Sequence, residues 1–241
     1  MRLFGPALAD GERVDVDGLI VRLRVNGRSR RVSIRIDPRT GEAVASAPSV
    51  RRLSDAVDFA RGRRGWLADR LKARPTPRPL AAGSRIEVFG EAWILQPDGR
   101  RPRLEGDVLR GCGLGEVDLQ LLARAVKMAA LERFRLLCEG HCARLGVALP
   151  EISVSDPASR WGSCSPPARG RRGRMRFSWR LALAPFETAD YVAAHECCHL
   201  LEANHGPRFW ALVKSLVGDP SVHRAWLRRH GVSLLAFGEP H

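Results

Sequence analysis

Residues 191–210 read YVAAHECCHLLEANHGPRFW and carry the pattern H-E-x-x-H at His195, Glu196 and His199. Residues four apart on an α-helix lie on one face about one turn apart, so the two imidazoles can point at one site. Neutral imidazoles are common zinc ligands, and Glu196 is close enough to act as general base on a water that the zinc activates. The spacing therefore predicts a helix that carries a zinc site.

A third candidate ligand is His205, ten residues after the first histidine of the pattern. The same offset occurs in the longer zinc motif H-E-x-x-H-x-x-G-x-x-H. Glu202 replaces the glycine of that motif, so another feature must turn the chain. Asn204 and Gly206 flank the histidine, and both tolerate the left-handed conformation that ends helices. We therefore expect the helix to end near Ala203 and a tight turn to complete a site for one Zn²⁺ per chain.

The composition is that of a folded protein with a strong positive charge. The 241 residues include 44% hydrophobic and 27% charged residues, and they allow one large domain or two small ones. The formal net charge of +14 raises the question of a polyanionic partner such as nucleic acid. Only three of the 40 basic residues are lysines, a skew that a GC-rich genome can produce without any functional reason.

Six cysteines are present, but none forms a C-x-x-C pair, which argues against a zinc ribbon. Cys138, His141 and Cys142 lie close together in the sequence and are a candidate second metal site, although buried free cysteines on a helix are common. Neither a signal peptide nor a run of about 18 apolar residues is present. We therefore expect a cytoplasmic protein with free thiols and no membrane contact.

The N-terminal half has the alternating pattern of short strands. We divide the chain into a loosely held leader at residues 1–18, an N-terminal α+β part at 19–115 and a second part at 116–241. Strands beginning at Leu19, Val32 and Glu42 predict an antiparallel meander, and a helix is expected from a Ser49 cap to about Leu71. The polar face of the strands carries arginines that are either solvated or bind a polyanion: Arg22, Arg24, Arg28, Arg30, Arg31 and Arg35. Pro75, Pro77 and Pro79 predict a stiff connector.

The second half alternates strands with helices, so the predicted fold class is α+β. The predicted elements are short strands within residues 82–110, a helix from Leu119 to about Leu145, strands at Glu151–Ser155 and 175–180, helices that start near Pro185 and Pro207, and a last helical piece around residues 223–227. Phe177 and Trp179 can bury one face of the strand at 175–180. If that strand is an exposed edge, an extended peptide can pair with it.

Three segments together carry a resemblance to a known family: RWGSCS at 160–165, FSWRLALAP at 177–185, and the zinc motif segment. They resemble the YgjP-like metallopeptidase domain family, which lies near the SprT-like group, and the similarity extends from about Val21 to Gly231. The resemblance implies a minimal zincin-like metallopeptidase domain at 116–241, with a helix pair framing zinc beside a small sheet. It implies the same metal ligands and the same catalytic glutamate that the spacing predicts.

The resemblance also gives relevance to Arg160, Trp161 and Cys164, which spacing alone does not assign. The loop at 166–174 departs from the family pattern because it is more basic than usual.

A transition-state oxyanion needs a donor besides zinc, and the candidates are Tyr191, Arg160 and His223. Peptide or protein is the favoured substrate. Two alternatives are a metal-dependent hydrolase of nucleotide phosphoanhydrides, whose arginines clamp phosphates, and a protease that docks on DNA through its arginines. A purely DNA-binding module leaves the histidines unexplained, and a cysteine hydrolase needs a histidine that is not held by metal.

Overall fold

The computed structural model describes residues 8–72, 80–99, 101–157, 159–168 and 170–237. These residues form two compact units, which divide between residues 77 and 78. Within the described ranges the chain forms six α-helices and three β-sheets, so the predicted α+β class is confirmed. The predicted boundary near residue 115, between an N-terminal part and a catalytic domain, stays a prediction. The proline connector at residues 75–79 lies outside the described residues.

Unit 1 contains a four-stranded sheet. Its strands are β1 (Arg13–Val16), β2 (Leu19–Val25), β3 (Ser33–Ile36) and β4 (Ala43–Ala47). They lie in the order β1-β2-β4-β3, with a parallel pair in the middle and an antiparallel pair on each side. The predicted meander is therefore wrong in its order. All five residues of β4 are buried, and such a strand is stable in the middle of a sheet.

Two further predictions for this unit are wrong in detail. Residues 13–16 of the supposed leader form β1, because Val16 is fully buried in the core of the unit. The single helix expected from Ser49 is a 3-10 turn followed by two helices, α1 (Leu53–Gly62) and α2 (Arg64–Lys72). The Ser49 side chain makes no cap hydrogen bond. A glycine has low helix propensity, and α1 ends at Gly62.

The arginine face of this unit is partly neutralised by nearby carboxylates. The Nε of Arg22 lies 3.0 Å from a carboxylate oxygen of Glu42, and Nη1 of Arg35 lies 3.1 Å from one of Asp37. Two of the six arginines on the predicted polyanion surface are therefore already engaged within the chain.

Unit 2 begins with a second four-stranded sheet. Its strands are β5 (Arg85–Val88), β6 (Glu91–Gln96), β7 (Arg103–Glu105) and β8 (Val108–Arg110). Their order, β5-β6-β8-β7, with a parallel pair in the middle, is the same arrangement as in unit 1. The predicted short strands between residues 82 and 110 are thus confirmed.

The long helix α3 (Leu119–Leu145) follows, as predicted. The Asp118 side chain accepts hydrogen bonds from the backbone N–H groups of Gln120 and Leu121, which satisfies two donors that the helix start leaves unpaired. Gly146 ends the helix in the left-handed conformation, with φ of 68°. The apolar face of α3 lies in the core of the unit, where Phe134 stacks on Phe177 with ring centroids 4.5 Å apart.

The rest of unit 2 is a three-stranded sheet and three helices. These elements are β9 (Glu151–Ser155), β10 (Gly162–Ser165), β11 (Arg174–Ser178), α4 (Phe186–Cys198), α5 (Pro207–Val217) and α6 (Ser221–Ala236). The sheet order is β10-β11-β9, so β11 is central and is not the exposed edge considered for peptide pairing. Trp179 and Arg180, expected in this strand, form a 3-10 turn with the residues up to Leu183. Among the helices of the described ranges, none is long and apolar enough to cross a membrane.

Candidate metal centre

The helix α4 is held on several sides, which fixes the direction of its functional side chains. It packs against α3, α5, α6 and β10. Ala189, Ala193 and Ala194 are fully buried, and their small side chains allow the neighbouring elements to approach closely. His195 and Glu196 therefore project from a rigid support, as a precise site requires.

The helix ends earlier than predicted, at Cys198 instead of near Ala203. His199 is its C-terminal cap and keeps right-handed helical torsion angles. The N–H groups of Leu200 and Leu201 donate to carbonyls three residues earlier, at 3.0 and 3.1 Å. Bonds of this 3-10 type tighten the last turn, and they supply the sharp exit that a glycine supplies in the longer zinc motif.

Glu202, which stands at the glycine position of that motif, stabilises the exit. Its backbone carbonyl accepts a hydrogen bond from Nδ1 of His199 at 3.0 Å, and its carboxylate lies 3.1 Å from Nε of Arg208. The N–H of Gly206 then donates to the carbonyl of Asn204 at 2.8 Å, a three-residue turn centred on His205. The predicted tight turn is present, but neither Asn204 nor Gly206 is left-handed, so hydrogen bonds form the turn instead.

The three histidines come together as the spacing predicts. One ring nitrogen from each of His195, His199 and His205 lies within 4.8 Å of the other two. The Nε2 atoms of His195 and His205 are 3.1 Å apart. Two imidazole nitrogens bound to one tetrahedral zinc at about 2.0–2.1 Å would be about 3.3 Å apart. The distance between His195 and His205 is therefore close to the spacing that a shared metal ion requires, and the third ring lies within reach of the same point.

The donor chemistry also fits zinc. Because a carbonyl only accepts, Nδ1 of His199 carries the proton in its bond to Glu202, which leaves Nε2 with a free lone pair in the neutral ring. Burial, together with His199 and His205, lowers the pKa of His195 to about 4. Burial, His199 and Arg224 lower the pKa of His205 as well. Neutral imidazoles at pH 7 are the form that binds a metal.

A buried phenylalanine forms the floor of the cluster. Phe209 of α5 lies 4.8, 4.6 and 4.7 Å from the ring centroids of His195, His199 and His205. The Nδ1 of His195 is buried and has no hydrogen-bond partner among the described residues, so packing orients that ring. The sequence pattern did not single out Phe209 as part of the site.

Glu196 packs directly against the backbone of β10. A Cβ atom placed on Gly162 would lie 2.5 Å from Oε1 of Glu196 and 2.7 Å from its Cγ. No side chain fits in that space, so the glycine of the RWGSCS segment allows the carboxylate to lie against the strand. Sequence reasoning missed this role. The glycine of RWGSCS is visible in the sequence, but only the fold shows that the side chain of Glu196 lies against it.

Burial dominates the electrostatics of this carboxyl group. Glu196 is 6% exposed, and burial raises its pKa to about 7, while the positive charge of Arg160 acts in the opposite direction. A cation bound at the histidines would lower this pKa. Arg160 therefore lies near enough to act on the candidate site, although its own side chain is exposed.

The other predicted contacts lie around the cluster. Tyr191 is 5% exposed, stacks on His223 with centroids 5.6 Å apart, and meets His195 edge-on at 5.9 Å. A residue that sequence reasoning did not single out is Arg224, whose guanidinium lies 4.8 Å from the centre of the Trp210 ring. Trp210 in turn stacks on the ring of His205 at 5.8 Å.

The cysteines form no second metal site within the described part of the chain, where the histidine cluster is the one group with suitable geometry. His141 instead pairs with Asp190, with 2.7 Å between Nε2 and Oδ1. The thiols of Cys142 and Cys197 are buried, with their sulfurs 3.8 Å apart. Burial raises the pKa of Cys164 to about 12, so this thiol is protonated at neutral pH and is not an activated nucleophile.

Three converging imidazoles and a glutamate next to the first of them form the arrangement used by zinc-dependent hydrolases. A family model described as YgjP-like, metallopeptidase domain, matches residues 30–230, so the chain belongs to the YgjP-like metallopeptidase family. The resemblance of the sequence segments is thus confirmed. Comparisons with curated proteins and with solved structures give no match. The link to the SprT-like group stays a prediction, and no comparison supports nucleic-acid binding.

Proposed function

We propose that the chain is a zinc-dependent peptidase, with His195, His199 and His205 as metal ligands and Glu196 as general base. The observation that carries this proposal is the meeting of the three imidazole nitrogens within 4.8 Å, beside a buried carboxylate on the same helix. Membership of a metallopeptidase family supports the same reaction class.

Zinc, when bound, supplies a Lewis acid that polarises a carbonyl and makes water nucleophilic at neutral pH. Glu196 accepts the proton of the attacking water and delivers it to the leaving amine. Its side chain is held for this transfer between α4 and the backbone of Gly162. A glutamine at this position keeps the shape of the side chain but accepts no proton.

The peptide binds beside β10 in this proposal, not beside the central strand β11. The strand β10 is the outer strand of its sheet, and within the described residues its backbone pairs only with β11. An extended peptide can add to such an edge through main-chain hydrogen bonds. Because Gly162 belongs to β10 and contacts Glu196, a peptide on this edge runs past the general base.

Four side chains are candidates for stabilising the oxyanion of the transition state. Tyr191, Arg160 and His223 remain the sequence-based candidates, and Arg224 joins them because it lies over Trp210 next to His205. Removal of one preorganised hydrogen-bond donor to developing negative charge costs about 3–4 kcal/mol of transition-state stabilisation in a well-studied oxyanion hole. The nucleotide-hydrolase alternative uses the same metal centre, so nucleoside triphosphates are assayed as substrates beside unfolded protein.

The test compares purified wild-type protein with Glu196→Gln and with Glu187→Gln, a control on the exposed side of the same helix. We expect about one zinc per chain in all three by elemental analysis. Unfolded protein should be cleaved by the wild type and the control, and at least about 100-fold more slowly by Glu196→Gln. Turnover of nucleoside triphosphates alone would select the phosphoanhydride alternative, and full activity in Glu196→Gln would contradict the general-base role.

A further inference from the structure

A cationic cavity lies on the outer face of the three-stranded sheet. It has a volume of about 440 Å³ and is lined by Ser155, Asp156, Pro157, Arg160, Ser163 and Arg176. The two arginines are its cations. We call it the arginine cavity.

The arginines of this cavity are available to a ligand. Neither Arg160 nor Arg176 forms a hydrogen bond or an ion pair with another residue of the described ranges. Both are exposed. The one carboxylate in the lining, Asp156, is engaged by Arg180, whose Nε lies 2.9 Å from Oδ1. The free positive charge in the cavity is therefore not cancelled by that carboxylate.

The donors that the cavity offers to a ligand are the two guanidinium groups. The Oγ of Ser155 makes no hydrogen bond to any described residue, but it is buried from solvent and so is not accessible from the cavity. Two guanidinium groups are suitable donors for an oxyanion such as a carboxylate.

The sheet register places this cavity next to the free edge of β10. Ser163 of β10 is paired with Arg176 of β11, and Ser153 of β9 is paired with the same arginine from the other side. Serines are too small to cover a guanidinium. The two neighbours of Ser163 in β10 lie on the opposite face, where Gly162 contacts Glu196.

A peptide added to this edge would therefore have side chains on two different faces. Its residue opposite Gly162 faces the candidate metal centre, and its residue opposite Ser163 faces the arginine cavity, because paired residues in a sheet share a face. The Ser163 and Arg176 side of the cavity is thus positioned to bind one side chain of a peptide on the face of the sheet opposite to Glu196.

We propose that the arginine cavity is a specificity subsite that binds a carboxylate of the peptide substrate. This proposal rests on the proposed peptidase function. The carboxylate belongs to an aspartate or glutamate side chain or to the C-terminus of the peptide. A charge-assisted bond to arginine contributes enough free energy for a preference of about tenfold over the neutral amide.

The experiment first maps cleavage sites in a random decapeptide mixture with zinc-loaded wild-type protein. The best-cleaved sequence is then made with glutamate, glutamine or lysine at the preferred position, each with a free or an amidated C-terminus. We expect the wild type to cleave an acidic peptide about tenfold faster than its neutral partner. A difference in rate between the glutamate and glutamine peptides assigns the carboxylate to a side chain. A difference between the free and amidated C-termini assigns it to the terminus.

Three variants assign this preference to the cavity. Arg176→Gln should remove it, and Arg176→Glu should reverse it in favour of lysine. Arg174→Gln is the matched control, because Arg174 is exposed on the same face of the same strand but does not line the cavity. Equal cleavage of acidic and neutral peptides by the wild type, or an unchanged preference in both Arg176 variants, overturns the subsite.

Binding separates this proposal from the proposed function. Fluorescence anisotropy measures, for the Glu196→Gln protein, the dissociation constants of labelled acidic and neutral decapeptides that are chosen without reference to the cleavage sites. If the wild type cleaves no peptide, the peptidase function fails, yet a tenfold tighter binding of the acidic peptide that Arg176→Gln abolishes still supports the subsite. Equal dissociation constants for the two peptides overturn it whatever the activity.

Discussion

Gly162 and Glu196 are in direct contact, since a Cβ atom on Gly162 would lie 2.5 Å from Oε1 of the glutamate. The strand β10 therefore sets the position of the candidate general base, although it supplies no side chain at that point. This contact joins two sequence motifs, RWGSCS and H-E-x-x-H, that are far apart in the chain.

Gly162→Ala should displace Glu196 and lower the rate of peptide cleavage at least about 100-fold, because a 1 Å misplacement of a catalytic group has that effect. Zinc content should be unchanged, since the three atoms nearest the added methyl group all belong to Glu196 and not to a candidate ligand. The matched control is Gly140→Ala, where the added methyl group meets no atom within 4 Å. Equal activity of the two variants in the cleavage assay would show that the contact with Gly162 does not position Glu196 for catalysis.

His205→Ala should weaken zinc binding more than about 100-fold, since even the loss of a residue that only orients a ligand costs 10–100-fold. The side chain is exposed, so the variant should remain folded by circular dichroism. Competition with a chromogenic chelator measures the affinity. His230→Ala is the control, because His230 packs on Trp226 and does not belong to the histidine cluster. Equal zinc affinity in both variants contradicts a third protein ligand.

Phe209→Leu should loosen the histidine cluster without removing a ligand. Phe209 contacts all three imidazoles, so we expect about tenfold weaker zinc binding in the chelator assay. Val213→Ala, at a fully buried position of the same helix, is the control for a general loss of stability. If both variants bind zinc equally, the ring of Phe209 serves packing alone.

Arg180→Met should destabilise unit 2 by about 2–4 kcal/mol, because it removes a buried guanidinium together with its hydrogen bonds to a carboxylate and two backbone carbonyls. The guanidinium is 3% exposed and donates to Asp156 and to the backbone carbonyls of Leu234 and Phe237. Urea unfolding followed by tryptophan fluorescence measures the change. Arg174→Met, at an exposed position, should change the free energy of unfolding by less than about 0.5 kcal/mol. A similar small change for Arg180→Met would contradict its structural role.

The sequence was most informative where the pattern is local. The three histidines are brought together as their spacing predicts, and the long helix α3 has its predicted bounds because periodicity and caps lie within the segment itself. Strand order was not predictable in this way. The parallel pairing of β2 with β4 depends on the burial of β4 on both faces, which no single segment reveals.

Errors of the same kind occurred around the candidate site. The exit from α4 depends on hydrogen bonds of Glu202 and Gly206, which replace the left-handed turn that the residue types favoured. The contact between Gly162 and Glu196 and the central position of β11 both require the whole sheet. Residue type alone therefore identified the residues of the candidate site, but it did not show which residues contact them in the fold.

The tight turn after α4 has a consequence for how the site assembles during folding. All three candidate ligands lie within one short segment, so an ion bound to them closes only a small loop, and the loss of chain entropy is modest. The contact of Glu196 with Gly162 instead requires a strand from much earlier in the chain. A molecule whose sheet is disturbed can thus retain its metal and lose its activity, so metal content reports on local order and turnover reports on the complete fold.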